Sequence, residues 1–320
     1  MYVEMIKTMD GVVGQPGKIV LSGASGMVGT ALRRRLAARG ASVVQLVRGA
    51  PGGENQVAWD PSATQAIANP SALAGCTAAV HLSGASVAGH RWTAKYRKEL
   101  TASRVGSTRA LAQTLASLRE RPQTLVVASA VGIYGNRGEE VLDEDSAPGE
   151  GFLAEVCRAW EEAARPALDA GIRVVHARFG VVLGRGLRAH EQGALERMLP
   201  VFRLGLGGRL GSGRQWMSWV SLEDAVAAIL FALETRSLAG PVNVVAPNAV
   251  TNAEFTQALA RRLHRPAVFP VPAFALRLAL GPMADEALLA SARVAPAKLL
   301  GAGFEFVHAT VDEALAAALG

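Results

Sequence analysis

Residues 18–22, the apolar run KIVLS, lead at once into Gly23, Ala24, Ser25, Gly26, Met27, Val28 and Gly29, and the chain then places Val28, Leu32 and Leu36 at four-residue spacing. Few arrangements accept that order. It reads as a strand, a glycine turn and an amphipathic helix whose apolar stripe faces a sheet while Arg33, Arg34 and Arg39 turn outward. Gly23 permits a tight reversal, Gly26 lets the backbone come close to a pyrophosphate, and Gly29 lets the helix lie against the strand. The free N–H groups at the start of the helix, and the positive end of its dipole, then face the phosphates.

The rest of the first half repeats the pattern. Short apolar runs at 18–22, 41–47, 57–59, 78–82, 123–129 and 172–178 read as strands, separated for the most part by helical stretches. Such alternation predicts an α/β fold, a doubly wound parallel sheet of the Rossmann type. Gly40 is expected to end the first helix. Residues 92–118 are helix-rich, and 154–168 read as one helix with Trp160 packed inward. Beyond Gly184 the texture changes: GLGGRLGSG at 205–213 is too glycine-rich for regular structure, and Pro266, Pro270 and Pro272 bound a later helical block. The predicted organisation is an N-terminal extension at 1–17, a dinucleotide-binding domain at 18–184, and a smaller C-terminal α/β substrate lobe at 185–320. One strand of that lobe, 241–245, is expected to return to the sheet.

Half of the 320 residues are hydrophobic, which supports a large core and excludes a disordered chain. The two cysteines, Cys76 and Cys157, lie far apart, so neither a disulfide framework nor a metal site is expected, and the cytoplasm is the expected setting. The opening residues lack a sustained apolar core, and no run reaches about 18 uncharged apolar residues, so neither a signal peptide nor a membrane span is expected. The net charge of +6 comes from arginines interspersed with acids. That distribution favours a solvated surface over a nucleic-acid interface. The expected partner is a small-molecule substrate, and a homo-oligomer is compatible with the sequence.

The end of the second strand discriminates between cofactors, because an acid there binds the adenosine ribose of NAD whereas an arginine pairs with the 2′-phosphate of NADP. Here the strand ends VVQLVR, without an acid. Arg48 is therefore the expected 2′-phosphate ligand, its guanidinium matching phosphate oxygens bidentately, and NADP is expected over NAD.

GASGMVG, followed by HLSGA at 81–85 and VVASAVGIYG at 126–135, resembles the extended short-chain dehydrogenases of the NAD-dependent epimerase/dehydratase superfamily. RWTAKYRKELTASR, CRAWEEAA, RFGVVLGRG, GLGGRLGSGRQWMSWVSLEDA and GPVNVVAPNAVTNAEF resemble more narrowly its YfcH-type epimerase family proteins, which carry a C-terminal domain of unknown function. The resemblance spans 18–318. It implies that Trp59 and Asp60 lie near the adenine, that Leu82, Ser83 and Gly84 line the cofactor, and that Val182 walls the nicotinamide. Glu99 and Arg104, on the helix after the fourth strand, are further candidates to face the cofactor.

The superfamily usually moves a proton through a tyrosine whose pKa is lowered by a lysine four residues later. Tyr2, Tyr96 and Tyr134 are followed at that spacing by Ile6, Leu100 and Gly138, so no such pair exists. Alignment on Trp160 and Glu161 puts Leu153 and Cys157 at the two positions. The usual serine position falls on Ala130, and the arginine that grips a nucleotide-sugar phosphate aligns with Met217, Arg214 being out of register. Ser129 and Tyr134, at the end of the fifth strand, are the remaining catalytic candidates, since both hydroxyls can hydrogen-bond a carbonyl. His81 reads as a core histidine and Cys157 as a buried small hydrophobe. Three functions are compatible with these residues: an NADP-dependent oxidoreductase on a small carbonyl or alcohol, a catalytically silent NADP(H) sensor, or an epimerase.

Overall fold

The computed structural model describes residues 17–63, 65–186 and 193–320. The expected N-terminal extension lies outside them apart from Gly17. Seven parallel strands form the central sheet: β1 (Lys18–Ser22), β2 (Ser42–Val47), β3 (Gln56–Ala58), β4 (Cys76–His81), β5 (Thr124–Ala130), β6 (Arg173–Phe179) and β7 (Gly240–Val244). Their spatial order is β3-β2-β1-β4-β5-β6-β7, with every neighbouring pair parallel. The fold is Rossmann-like. The order reverses between β1 and β4, and ligands of such sheets bind at that crevice, outside the carboxyl ends of the strands.

Side chains alternate across a strand, so β1 feeds two cores. Ile19 and Leu21 face one side, against Leu32 and Leu36 of α1 (Met27–Ala38). Val20 faces the other, in the same cluster as Leu111 and Leu115 of α3 (Ser107–Ser117) and Trp160 of α4 (Phe152–Glu162). Helix α2 (Ala94–Thr101) reaches α3 through a π-helical turn, Ala102–Gly106. The helix expected over 154–168 is two, α4 and a short one at Arg165–Asp169. Pro166 explains the break, because it has no N–H for a continuing helix and fits only a first turn.

Residues 193–320 contribute to two cores. Helix α5 (Ala194–Arg203), α7 (Asn252–Leu263) and α8 (Val311–Leu319) pack around fully buried Trp219 in a core of their own. By contrast, α6 (Leu222–Glu234) packs its Val226, Ile229 and Leu230 into the α1 side of the sheet. The strand expected at 241–245 is β7, one residue earlier, paired with β6. Among the described residues no helix is long and apolar enough to cross a membrane, and no cluster of three metal-ligating side chains occurs.

Candidate functional site

Each glycine of the turn meets a different constraint. Gly23 has φ +72°, and a Cβ there would stand 2.7 Å from the carbonyl carbon of Leu82. A Cβ on Gly29 would lie 2.1 Å from the Gly23 oxygen. Gly26 differs: its φ is −78°, and the nearest atom to a Cβ would be the Gly23 oxygen at 3.5 Å. The protein itself does not demand glycine at position 26. Its exposed edge is space that a closely approaching ligand would fill. Helix α1 begins here without a side-chain cap and without an acid in its first turn, so its N–H groups and dipole are available to an anion.

The remaining cofactor candidates are spread along the carboxyl ends of the strands. Ala24 is buried, Ser25 is exposed with Gly26, and Met27 and Val28 are half-buried. Leu82 bonds across the switch point, its N–H donating to the Ser22 carbonyl at 3.2 Å, and Ser83 and Gly84 continue outward. Arg48 stands exposed one residue beyond β2, with no ion pair among the described residues and no acid in the following RGAPGG turn. Trp59 is buried, its ring edge-on to His81 at 5.8 Å in the core below. Asp60 is exposed and accepts from the Ser62 hydroxyl at 2.6 Å and N–H at 2.9 Å, which hold its carboxyl below the usual range. Glu99 is exposed on α2. Arg104 reaches back to the β4 turn, donating to the Ala85 carbonyl at 2.9 Å. Val182 pairs with Val220 just beyond β6 and packs against the α6 side of the core.

The hydroxyls of Ser129 and Tyr134 are spent inside the protein. Ser129 is buried and donates to Glu161 at 2.7 Å. Tyr134 has no exposed surface; it donates to Asn243 at 2.7 Å and accepts from Arg178 at 2.9 Å. As placed, neither hydroxyl has a face for a ligand. Burial raises the Tyr134 pKa despite the adjacent Arg178. The centre of this network is a bidentate ion pair, Arg178 Nε to Glu161 Oε1 at 2.8 Å and Nη2 to Oε2 at 2.9 Å. Burial works against the Arg178 charge, but Glu161 and Tyr134 outweigh it, so its pKa is raised. Asn243 extends the network, its side chain donating to Ala295 and its backbone N–H to Glu144. The sequence holds one sign of it: charged Arg178 lies near the end of the β6 run RVVHARF.

Leu153 and Cys157, the two positions to which the sequence reading assigned the pair, both lie on α4. Leu153 is half-buried against Gly132, and its backbone N–H donates to Glu286 at 2.8 Å. Cys157 is buried, with a thiol pKa pushed up to about 12 by that burial. His81 is the core residue expected of it. It lies between Ser22, 2.6 Å from Nδ1, and Ser107, 3.0 Å from Nε2, and burial holds its pKa down to about 3. Met217 lies in a two-residue strand, half-buried, and Arg214 is exposed nearby.

Comparison with known proteins shows the family to which this fold belongs. Residues 19–246 match the NAD dependent epimerase/dehydratase family, and residues 271–318 match a domain of unknown function, DUF1731. The chain is 44% identical over 297 residues to the epimerase family protein Mb2239 of Mycobacterium bovis, covering 93% of this chain and 96% of that one. It is 37% identical over 302 residues to the epimerase family protein YfhF of Bacillus subtilis, covering 93% and 96%. The crystal structure of human epimerase family protein SDR39U1 with NADPH superposes with a TM-score of 0.85 at 34% identity, covering 94% of this chain and 98% of that one. The chain therefore belongs to the NAD-dependent epimerase/dehydratase family, in the branch that joins this domain to DUF1731.

Proposed function

We propose that this protein binds NADP(H) across the carboxyl ends of β1, β2 and β4 and exchanges hydride with a small carbonyl or alcohol, the accompanying proton passing from or to solvent water. The observation that carries the reading is the uncapped start of α1 beside the open edge of Gly26. Unpaired N–H groups and a glycine that packing does not require are accounted for together by a pyrophosphate. Arg48 supplies a guanidinium for the 2′-phosphate where no acid competes for it, and NADPH in the human relative's structure supports that preference. When bound, the nicotinamide supplies or accepts the hydride. The protein's own part is to seat it: Leu82, Ser83 and Gly84 form the floor, and Val182 borders the far side. Ser129 and Tyr134 act one layer below, in the network that fixes β5, β6 and α4.

The absence of a hydroxyl at position 153 and of an ammonium at position 157 favours a second reading, an NADP(H) sensor without turnover. NADPH oxidation followed by absorbance over a panel of aldehydes and ketones separates the two. Turnover supports the oxidoreductase; saturable NADPH binding with no turnover on any carbonyl supports the sensor.

A further inference from the structure

The segment that matches DUF1731 closes a cavity of about 430 Å³ against α1 and α6. The residues of α1 that line it, Ala31, Arg35 and Arg39, run from the second turn of that helix to its C-terminal end. It is therefore distinct from the glycine turn at the start of the same helix. Val226, Leu230 and Phe231 of α6 and Ala314 and Ala318 of α8 give it apolar walls. Such a volume, enclosed by apolar side chains with few polar groups among them, describes a small-molecule site.

One buried polar ring borders this space. His308 is 8% exposed and lines the cavity, and its Nδ1 lies 3.1 Å from the Ser221 hydroxyl. Ser221 in turn donates to the Asp224 carboxylate at 2.8 Å and accepts from the Asp224 N–H at 3.0 Å. Asp224 is wholly buried and also accepts from the N–H groups of Val307 at 2.8 Å and His308 at 3.0 Å. The one hydroxyl proton of Ser221 therefore goes to the carboxylate, and its oxygen can only accept from Nδ1. This fixes the neutral ring as the Nδ1–H tautomer, with a lone pair on Nε2. Nε2 has no protein partner among the described residues and is not sealed from solvent. The charges around the cavity cancel: Arg39 pairs with Glu234 at 2.8 Å, and Arg35 and Arg185 are matched by Glu223 and Glu305. Behind the ring, the Asp224 carboxylate lies 3.6 Å from Nδ1, so the site offers no net attraction to an anion.

We propose that this cavity is a second ligand site, for a neutral apolar alcohol whose tail lies among the α1, α6 and α8 side chains and whose O–H donates to Nε2 of His308. The proposal does not depend on dinucleotide binding at the glycine turn. It gives the DUF1731 segment a role, because that segment supplies both the acceptor and, through α8, one of the walls. Ser221 and Asp224 touch no ligand; they hold the ring in the tautomer that accepts.

Ligand-observed NMR titration of the full chain with 1-hexanol, with its methyl ether and with hexanoate tests the assignment, since the ether keeps the tail but cannot donate and hexanoate carries a charge. 1-Hexanol is expected to bind saturably, and the other two at least about fivefold more weakly, the value of one hydrogen bond. Ala227→Phe, which puts a ring into the cavity, is expected to abolish 1-hexanol binding. His308→Leu is expected to make the alcohol and the ether equal. Equal affinity of the wild type for alcohol and ether would overturn the proposal, as would tighter binding of hexanoate or no binding of 1-hexanol at all. Binding of 1-hexanol that survives Ala227→Phe would also overturn it, because the alcohol would then sit elsewhere. The comparison of the three probes uses the wild type alone, so it decides even if neither variant folds.

Discussion

Tyr134→Phe removes one oxygen from a side chain with no exposed surface, and with it two hydrogen bonds, from Arg178 at 2.9 Å and to Asn243 at 2.7 Å. A bond to a charged group contributes about 1.5–3 kcal/mol and a neutral one about 0.5–1.5 kcal/mol, so the expected loss is about 3 kcal/mol. The phenyl ring still fills the volume, which leaves cavity terms small. With an unfolding entropy of about 2.1 cal/mol/K per residue, a chain of this length should lose about 4–5 °C in Tm. Thermal unfolding followed by circular dichroism, with NADP+ titration of the same variant at about 20 °C below its midpoint, reads both consequences. The expected result is a lower Tm with cofactor affinity within about twofold of wild type. A Tm within about 1 °C of wild type, together with lost NADPH oxidation, would refute the placement of this hydroxyl below the site.

The glycine turn makes a paired prediction. Gly29→Ala forces a Cβ to 2.1 Å from the Gly23 oxygen and should cost at least about 3 kcal/mol in chemical denaturation. Gly26→Ala meets nothing closer than 3.5 Å and should leave stability within about 0.5 kcal/mol while weakening dinucleotide binding at least about 10-fold. Equal destabilisation by both would contradict the reading of Gly26 as ligand space. His81 sets a pH dependence. Its folded pKa is depressed to about 3, so its contribution is full above about pH 6.5 and is lost, at about 1.4 kcal/mol per pH unit, as pH falls towards 3. Burial lowers the His176 pKa in the same direction. Urea midpoints at about pH 5 and about pH 7.5 should diverge less in His81→Gln than in wild type, and an unchanged difference would exclude His81 as the source.

What the sequence made legible was local. The strand at 18–22, the turn and the α1 stripe sit within about twenty residues, and their chemistry is dictated by φ, Cβ sterics and helix-end N–H groups. That none of the three tyrosines has a lysine four residues on was equally plain. The network of Ser129, Tyr134, Glu161, Arg178 and Asn243 joins positions up to 109 residues apart, and no spacing rule reaches that far. Residue type alone therefore made Tyr134 a catalytic candidate, whereas tertiary packing gave its hydroxyl to Arg178 and Asn243. Trp59 likewise reads as a residue at a strand end, yet its ring turns to His81 in the core. The π turn at Ala102–Gly106 leaves no mark in the pattern, since 92–118 reads only as helix-rich.

In the proposed function, the turn at Gly23 to Gly29 seats a dinucleotide and Arg48 makes it NADP. Titration of the purified protein with NADP+ and NAD+, wild type beside Arg48→Ala, tests it most directly. Wild type is expected to bind NADP+ more tightly than NAD+, and the variant to lose about 10- to 100-fold in NADP+ affinity while NAD+ is unaffected. Equal affinity for the two cofactors, unchanged by the substitution, would contradict it.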